Sequence, residues 1–282
     1  MAGKLYLCAT PIGNLEDITF RVLETLRSVD VIAAEDTRHT IKLLNHFDIK
    51  TPMTSYHEFN KIDKARILVE DLKAGKNIAL VTDAGTPGIS DPGEELVKFC
   101  HEAGIEVTSL PGPAACITAL TMSGLSTRRF CFEGFLPMDK KEREVVLERL
   151  KRETRTTVFY EAPHRLEKTL KVLREAAGNR RLTICKELTK RHEKTWLTSL
   201  DEAIEWYDAN EARGEYVLVL EGADAKALEE ERQAAWDTMS IEEHMEIYLS
   251  KGQTKKEAMK SVASDRGMTK REVYQYLLHQ GN

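Results

Sequence analysis

Apolar and polar positions alternate in two rhythms along the first 110 residues. Short apolar runs predict strands at 5–9, 29–34, 53–56, 78–81 and 105–110. Between them, apolar residues three or four apart predict helices at 20–28, 37–47, 61–74 and 94–103; Leu23 and Leu26 share the apolar side of the first. Strand–helix alternation of this kind predicts a mostly parallel sheet with helices on both faces. The prolines and glycine of Leu110-Pro111-Gly112-Pro113 break the rhythm and lead into a helix starting near 114. A second α/β unit follows, with strands at 129–135, 156–160, 181–186, 194–199 and 215–220, and helices at 140–151, 165–177 and from 200. Several of these strands follow one another closely, which predicts a mixed sheet.

From 223 the chain turns charged and helical. Ser240 with Glu243, Thr254 with Glu257 and Thr269 with Glu272 have capping-box spacing, and Gly252 and Gly267 lie where helix ends favour glycine. The pattern predicts three helices over about forty residues, the last two joined by a short turn as in a helix-turn-helix. The expected division is an N-terminal α/β domain at 1–112, a second at 113–222 with a cofactor cleft between the two, and a helical unit at 223–282.

Composition narrows the classes. With 41% hydrophobic and 31% charged residues the chain reads as an ordinary globular protein. It has no apolar run of membrane-spanning length, and its N-terminus enters a strand without a signal-peptide layout. Cys8, Cys100, Cys116, Cys131 and Cys185 are scattered, with no Cys-x-x-Cys, and read as buried thiols in a reducing cytoplasm; no metal site is expected. The net charge of −5 argues against indiscriminate coating of nucleic acid. A local patch remains open, because 251–271 carries seven Lys and Arg against only Glu257 and Asp265. Taken alone, that run is better explained by solvated helix faces.

The chemistry collects at predicted strand ends. Thr10–Asn14, 82–93 and 111–115 each join glycine to proline after a strand, so they should gather on one sheet edge, where open α/β sheets bind ligands. None is a P-loop, and no Gly-x-Gly-x-x-Gly occurs anywhere. Polar clusters follow other strands: 35–39, 56–61, 161–165 and 185–191. Capping accounts for part of each, since Asp36 or Thr37 suits a helix start. Each also sets a cation beside an acid, as a site that holds phosphates and moves a proton requires.

The segments 7–17, 34–38, 81–93, 110–115, 132–137, 159–166, 186–193 and 214–222 resemble the ribosomal RNA small subunit methyltransferase I family of the tetrapyrrole methylase superfamily. Asp-Ala-Gly-Thr-Pro at 83–87 and Glu-Asp-Thr-Arg at 35–38 are specific to this branch. The likeness runs from about residue 4 to 222, and the helical tail resembles the family's C-terminal unit. It implies the two-domain tetrapyrrole methylase-like α/β fold and S-adenosylmethionine as cofactor. It also implies a homodimer whose substrate is 16S rRNA in the small ribosomal subunit, methylated on the ribose 2′-hydroxyl of a decoding-centre cytidine. Carried over by position, the resemblance assigns the cofactor to Pro11, Gly13, Asp83, Gly85, Thr86, Pro87, Ser90, Pro111, Gly112 and Ala114. From the second domain it adds Tyr160, Glu161, Ala162, Leu188, Gly214 and Glu215.

Methylating a hydroxyl requires alignment with the methyl donor and a destination for the proton. Glu187 or Asp36 is expected as base or orienter, with His57 as an alternative base. Lys186 and Arg38 are expected near phosphate or the developing anion. Asn60, His164, Arg165, Lys190, Arg191, Lys255 and Lys256 are expected to contact RNA. Lys61 stands where the family often carries an acid, so no catalytic carboxylate is placed there. Two other readings stay open at this point: a methylase acting on a tetrapyrrole, and a non-catalytic ligand sensor whose tail binds nucleic acid.

Overall fold

A computed structural model describes residues 1–279. The chain forms two compact units, one of Met1–Lys151 with Arg155–Glu221, the other of Arg152–Thr154 with the chain from Gly222 onward. The larger unit carries two five-stranded sheets.

The first sheet is built from β1 (Lys4–Cys8), β2 (Val31–Ala34), β3 (Met53–Ser55), β4 (Ile78–Val81) and β5 (Glu106–Leu110), all parallel, in the order β3-β2-β4-β1-β5. Every residue of β4 is buried because its alternate side chains serve two cores. Ile78 and Leu80 pack with α3 (Lys61–Lys73) and α4 (Glu94–Glu102), through Leu68, Leu72 and Leu96. Ala79 and Val81 face α1 (Phe20–Ser28) and α2 (Thr37–His46), through Val22, Leu26 and Leu44. Parallel pairing puts the carboxyl ends of all five strands on one edge.

The second sheet contains β6 (Phe130–Phe135), β7 (Thr156–Glu161), β8 (Arg181–Lys186), β9 (Lys194–Ser199) and β10 (Tyr216–Leu220), in the order β6-β7-β10-β8-β9. It is mixed: β6 and β7 are parallel and the other pairs antiparallel. The fully buried β10 divides its side chains as β4 does. Val217 and Val219 meet α5 (Ala115–Met122); Leu218 and Leu220 meet the core lined by α7 (Pro163–Ala177) and α8 (Leu200–Ala209), and α6 (Lys140–Arg152) adds Leu150 to that core.

Strand and helix positions follow the hydrophobic pattern within about two residues, the usual scatter of helix ends. The strand expected from 29 starts at Val31, and the helix expected from 165 starts at Pro163. Proline suits a first helical turn, where its missing N–H has no partner to lose.

In the smaller unit α10 (Ile241–Ser250), α11 (Lys255–Asp265) and α12 (Lys270–His279) share a core around Met245, Val262 and Val273. All three capping boxes form. A further helix, α9 (Ala225–Thr238), buries no residue fully; its charged run carries too few apolar positions for a packed face. His244, only 1% exposed, stacks on Trp236 of that helix. Arg266 Nε donates to His244 Nδ1 at 3.1 Å, so the ring proton sits on Nε2, 3.2 Å from Asp265 Oδ2. Burial, and then the Arg266 charge, hold the His244 pKa below 6.5. The unfolded chain therefore takes up this proton first as pH falls. The stability is complete above about pH 6.5 and is lost as pH drops toward the folded value. The full chain should melt at a lower temperature at about pH 5 than at pH 7, and His244→Gln should flatten that dependence in a pH series of thermal melts.

Candidate active site

The three glycine-proline loops are bonded to one another. Thr10 N–H donates to Gly85 O at 2.9 Å, and Gly85 N–H donates back to Thr10 O at 3.0 Å. Thr10 Oγ1 donates to Thr82 O at 3.1 Å, and Thr86 Oγ1 donates to Pro113 O at 2.9 Å. Gly112 lies so close to β1 that an added Cβ would stand 2.6 Å from the Ala9 Cβ. A wall assembled this way presents mainly backbone to a ligand.

That wall faces the inner side of the second sheet across a cavity of ≈ 500 Å³. Of the residues expected at the cofactor, Asp83, Gly85, Thr86, Ser90 and Ala114 line it from the glycine-proline loops. Tyr160, Glu161, Ala162, Leu188 and Glu215 line it from the side of the second sheet. Pro11, Gly13, Pro87, Pro111, Gly112 and Gly214 are not among the lining residues and shape the loops. The Tyr160 hydroxyl accepts from Cys116 N–H at 3.1 Å, tying the second sheet to the start of α5, and burial pushes its phenol far above the usual range. Ser90, Glu187 and Thr189 adopt positive φ although none is glycine, so backbone strain collects in the loops around the cleft.

None of the expected catalytic groups lines the cavity: Asp36 and Glu187 adjoin or flank lining residues, and Lys186 lines a separate pocket with Trp196 and Tyr207. Asp36 caps α2, and its carboxylate is gripped by Arg38 through the backbone N–H at 2.8 Å and the guanidinium at 2.7 Å. Those bonds to Arg38 hold Asp36 well below the usual carboxylate range. The Arg38 side chain is itself 89% exposed. His57 donates its N–H to Asn60 Oδ1 at 2.8 Å, while its buried Nδ1 has no partner. Asn60 thus shapes the turn before α3. Lys186 reaches over the Tyr216 ring, 5.8 Å from its centre.

Glu187 is a brace. Its N–H donates to Glu215 O at 2.9 Å, and its Oε1 accepts from Glu215 N–H at 2.9 Å. That backbone bond, followed by Lys190, lowers its pKa below the ordinary carboxylate value. Gly214 has φ +83°, and a Cβ there would stand 2.7 Å from the Glu187 carboxylate arm. Gly214→Ala should therefore displace Glu187 and cost about 2–3 kcal/mol, combining strain and overpacking. Urea unfolding reads this; a loss under about 0.5 kcal/mol would show that the brace yields freely.

The expected RNA contacts divide. His164, Arg191, Lys255 and Lys256 are exposed; the last two lie on α11, in the smaller unit. Arg165 and Lys190 are engaged inside the fold. Arg165 Nη2 donates to Leu136 O at 2.5 Å, and its Nε lies 3.4 Å from Glu161. Lys190 bridges Glu187 at 3.1 Å and Glu215 at 2.6 Å.

The sequence reading missed several lining residues. Ile12, Ile89, Phe135 and Val217 give the cavity its apolar surface; Glu35 and Asp91 join Asp83 in an acidic corner. An isoleucine within a glycine-proline loop was the available signal for Ile89, which the structure leaves 42% exposed. Asp91, within the loop at 82–93, gave none.

Two α/β sheets meeting at a backbone-lined cleft define the class. A profile of the Tetrapyrrole (Corrin/Porphyrin) Methylases matches residues 4–204. The fold aligns at TM-score 0.56 and 20% identity with uroporphyrin-III C-methyl transferase from Thermus thermophilus, solved with S-adenyl homocysteine, covering 78% of this chain and 97% of that one. Within the class the sequence is more specific. It is 51% identical to ribosomal RNA small subunit methyltransferase I of Bacillus subtilis strain 168, and 50% identical to that of Halalkalibacterium halodurans, each over 96% of this chain and 93% of the relative. The chain belongs to the ribosomal RNA small subunit methyltransferase I family.

Proposed function

We propose that this protein methylates the ribose 2′-hydroxyl of a small-subunit rRNA nucleotide, a decoding-centre cytidine, using S-adenosylmethionine. The carrying observation is the near-full-length identity with rRNA small subunit methyltransferase I enzymes. The cleft fits the cofactor chemically. Its acidic corner of Glu35, Asp83 and Asp91 complements a sulfonium and an α-amino cation, and its apolar residues and backbone edges suit adenosine. Bound there, S-adenosylmethionine supplies an activated methyl group. Exposed residues after the strands of the first sheet suit RNA: Arg38, paired with Asp36 yet 89% exposed, can meet phosphate, and Phe59, 98% exposed in the turn after β3, offers a stacking face to an unpaired base. The same reading makes the protein a cytoplasmic homodimer. No described helix is long and apolar enough to cross a membrane.

The test is incubation with methyl-labelled S-adenosylmethionine and either small subunits or free rRNA from a strain lacking the gene. Label in a ribose of subunit RNA is the expected result. Label entering only a tetrapyrrole substrate would overturn it. Light scattering checks the dimer.

A further inference from the structure

The second sheet carries a pocket of its own, apart from the cofactor cleft. It is a cavity of ≈ 510 Å³ between β8, β9, β10 and the end of α8. Strand register sets its chemistry. Tyr216, Lys186 and Lys194 stand side by side across β10, β8 and β9. Two residues along on the same face, Ile184 of β8 pairs with Trp196 of β9. Trp206 and Tyr207 close the pocket from α8. The Trp196 and Trp206 rings meet edge to face at 5.9 Å, and those of Tyr207 and Tyr216 at 6.0 Å. Trp206 is nonetheless 54% exposed, so much of its indole stays open at the mouth.

The charges are of one sign. Lys186 and Lys194 are direct partners on antiparallel strands, and like charges in that position cost stability unless something neutralises them. The acids nearby are committed elsewhere. Glu187 and Glu215 are held by Lys190, and Glu211 at the pocket edge is held by Arg213 at 2.7 Å. Lys186 rests over the Tyr216 ring. An aromatic cage for a cationic head group would be repelled by two ammonium groups, whereas a phosphate is attracted by them. Aromatic faces beside phosphate-binding cations are how proteins hold unpaired nucleotides. Tyr216 lines both this pocket and the cofactor cleft, so the two lie at one end of the sheet and share a wall.

We propose that this pocket binds a second unpaired nucleotide of the substrate RNA, apart from the one being methylated. Its base stacks on Trp206 and its phosphate lies between Lys186 and Lys194. This rests on the rRNA methylation reading above. The target ribose must leave its stack to enter the cleft, and a nucleotide anchored behind the cleft wall holds the strand in that splayed course. Lys186 then grips RNA at a distance from the reacting hydroxyl. A contact of this kind, equal in ground and transition states, acts on KM and not on kcat.

The experiment compares wild type, Trp206→Ala and Lys194→Gln. It measures steady-state methyl transfer to small subunits, and the anisotropy of a labelled single-stranded oligocytidylate about ten nucleotides long. Trp206→Ala should bind the oligonucleotide about 5–100-fold more weakly. Lys194→Gln should reduce the slope of log affinity against log salt by about 0.7. For both, KM for subunits should rise while kcat and calorimetric S-adenosylmethionine affinity stay within about threefold of wild type. In a Trp236→Phe background, whose remaining tryptophans are Trp196 and Trp206, the oligonucleotide should quench the emission. Lys194→Gln changes an exposed side chain on an edge strand, so it keeps the test sound if truncating Trp206 disturbs α8. Wild-type oligonucleotide affinity and subunit KM in both variants would overturn the proposal. Cytidine monophosphate or a polyglutamate peptide binding as tightly as the oligonucleotide would also overturn it, making the pocket a site for a free nucleotide or an acidic protein. So would an altered oligomeric state of Trp206→Ala in light scattering with KM unchanged, which would make it a contact with a second copy. If wild type places no label in subunit RNA, the methylation reading fails; the oligonucleotide measurements need no methyl transfer and still decide the pocket.

Discussion

Gly112→Ala is expected to weaken S-adenosylmethionine binding by about thirtyfold or more, and to cost about 1–3 kcal/mol of stability. The new Cβ would stand 2.6 Å from the Ala9 Cβ, where carbon atoms settle at about 3.5–4.0 Å. Neither side yields easily. Ala9 is fully buried at the end of β1, and the next residue, Thr10, is bonded in both directions to Gly85. Gly112 lies between two prolines, and Pro113 O already holds the Thr86 hydroxyl. The displacement therefore passes into the wall of the cleft. Calorimetric titration with S-adenosylmethionine and a thermal melt read the two effects. Gly88→Ala is the comparison: φ there is +83°, but a Cβ meets nothing within 4 Å. That variant should cost only backbone strain, about 1–2 kcal/mol, leaving the neighbouring loops in place. Equal cofactor affinities for Gly112→Ala and wild type would show that the loops are not a rigid wall.

The features legible in the sequence are those set by local rules. Doubly buried strands such as β4 and β10 read as unbroken apolar runs, and capping boxes mark their own helices. Glycine and proline at three strand ends disclose a ligand edge because parallel topology gathers those ends together. What the sequence hides is set by partners far apart along the chain. Lys190 and Arg165 read as free cations, yet the fold gives one to Glu187 and Glu215 and the other to Glu161 and Leu136 O. Asp91 gains its character first from burial that no local pattern announces, and then from Glu35, which follows another strand. Glu187 reads as a free acid after β8 until its bond to Glu215 N–H shows it spanning two strands. Charge type is thus readable from sequence, whereas charge availability is decided by the fold.

Glu161→Ala makes that distinction measurable, and is expected to destabilise the protein by about 3–5 kcal/mol. The Glu161 side chain is fully buried at the end of β7. Its Oε2 accepts from the Thr169 hydroxyl at 2.5 Å, and its Oε1 accepts from Ala162 N–H at 2.8 Å and faces Arg165. Truncation leaves two donors without this acceptor and a mostly buried guanidinium without its counter-charge, which costs more than the pair contributes when intact. The melting temperature should fall by roughly 10 °C, at about 2–4 °C per kcal/mol for a chain of this size. Glu161→Gln retains an acceptor and should lose about half as much, the remainder being the ionic part. Arg165→Met should also lower the melting temperature while leaving the salt dependence of RNA binding unchanged, since its guanidinium is turned inward. Arg191→Ala should do the opposite, with stability kept and the slope of log affinity against log salt reduced by about one. A loss below about 1 kcal/mol for Glu161→Ala, or a reduced salt slope for Arg165→Met, would return Arg165 to the RNA-binding surface.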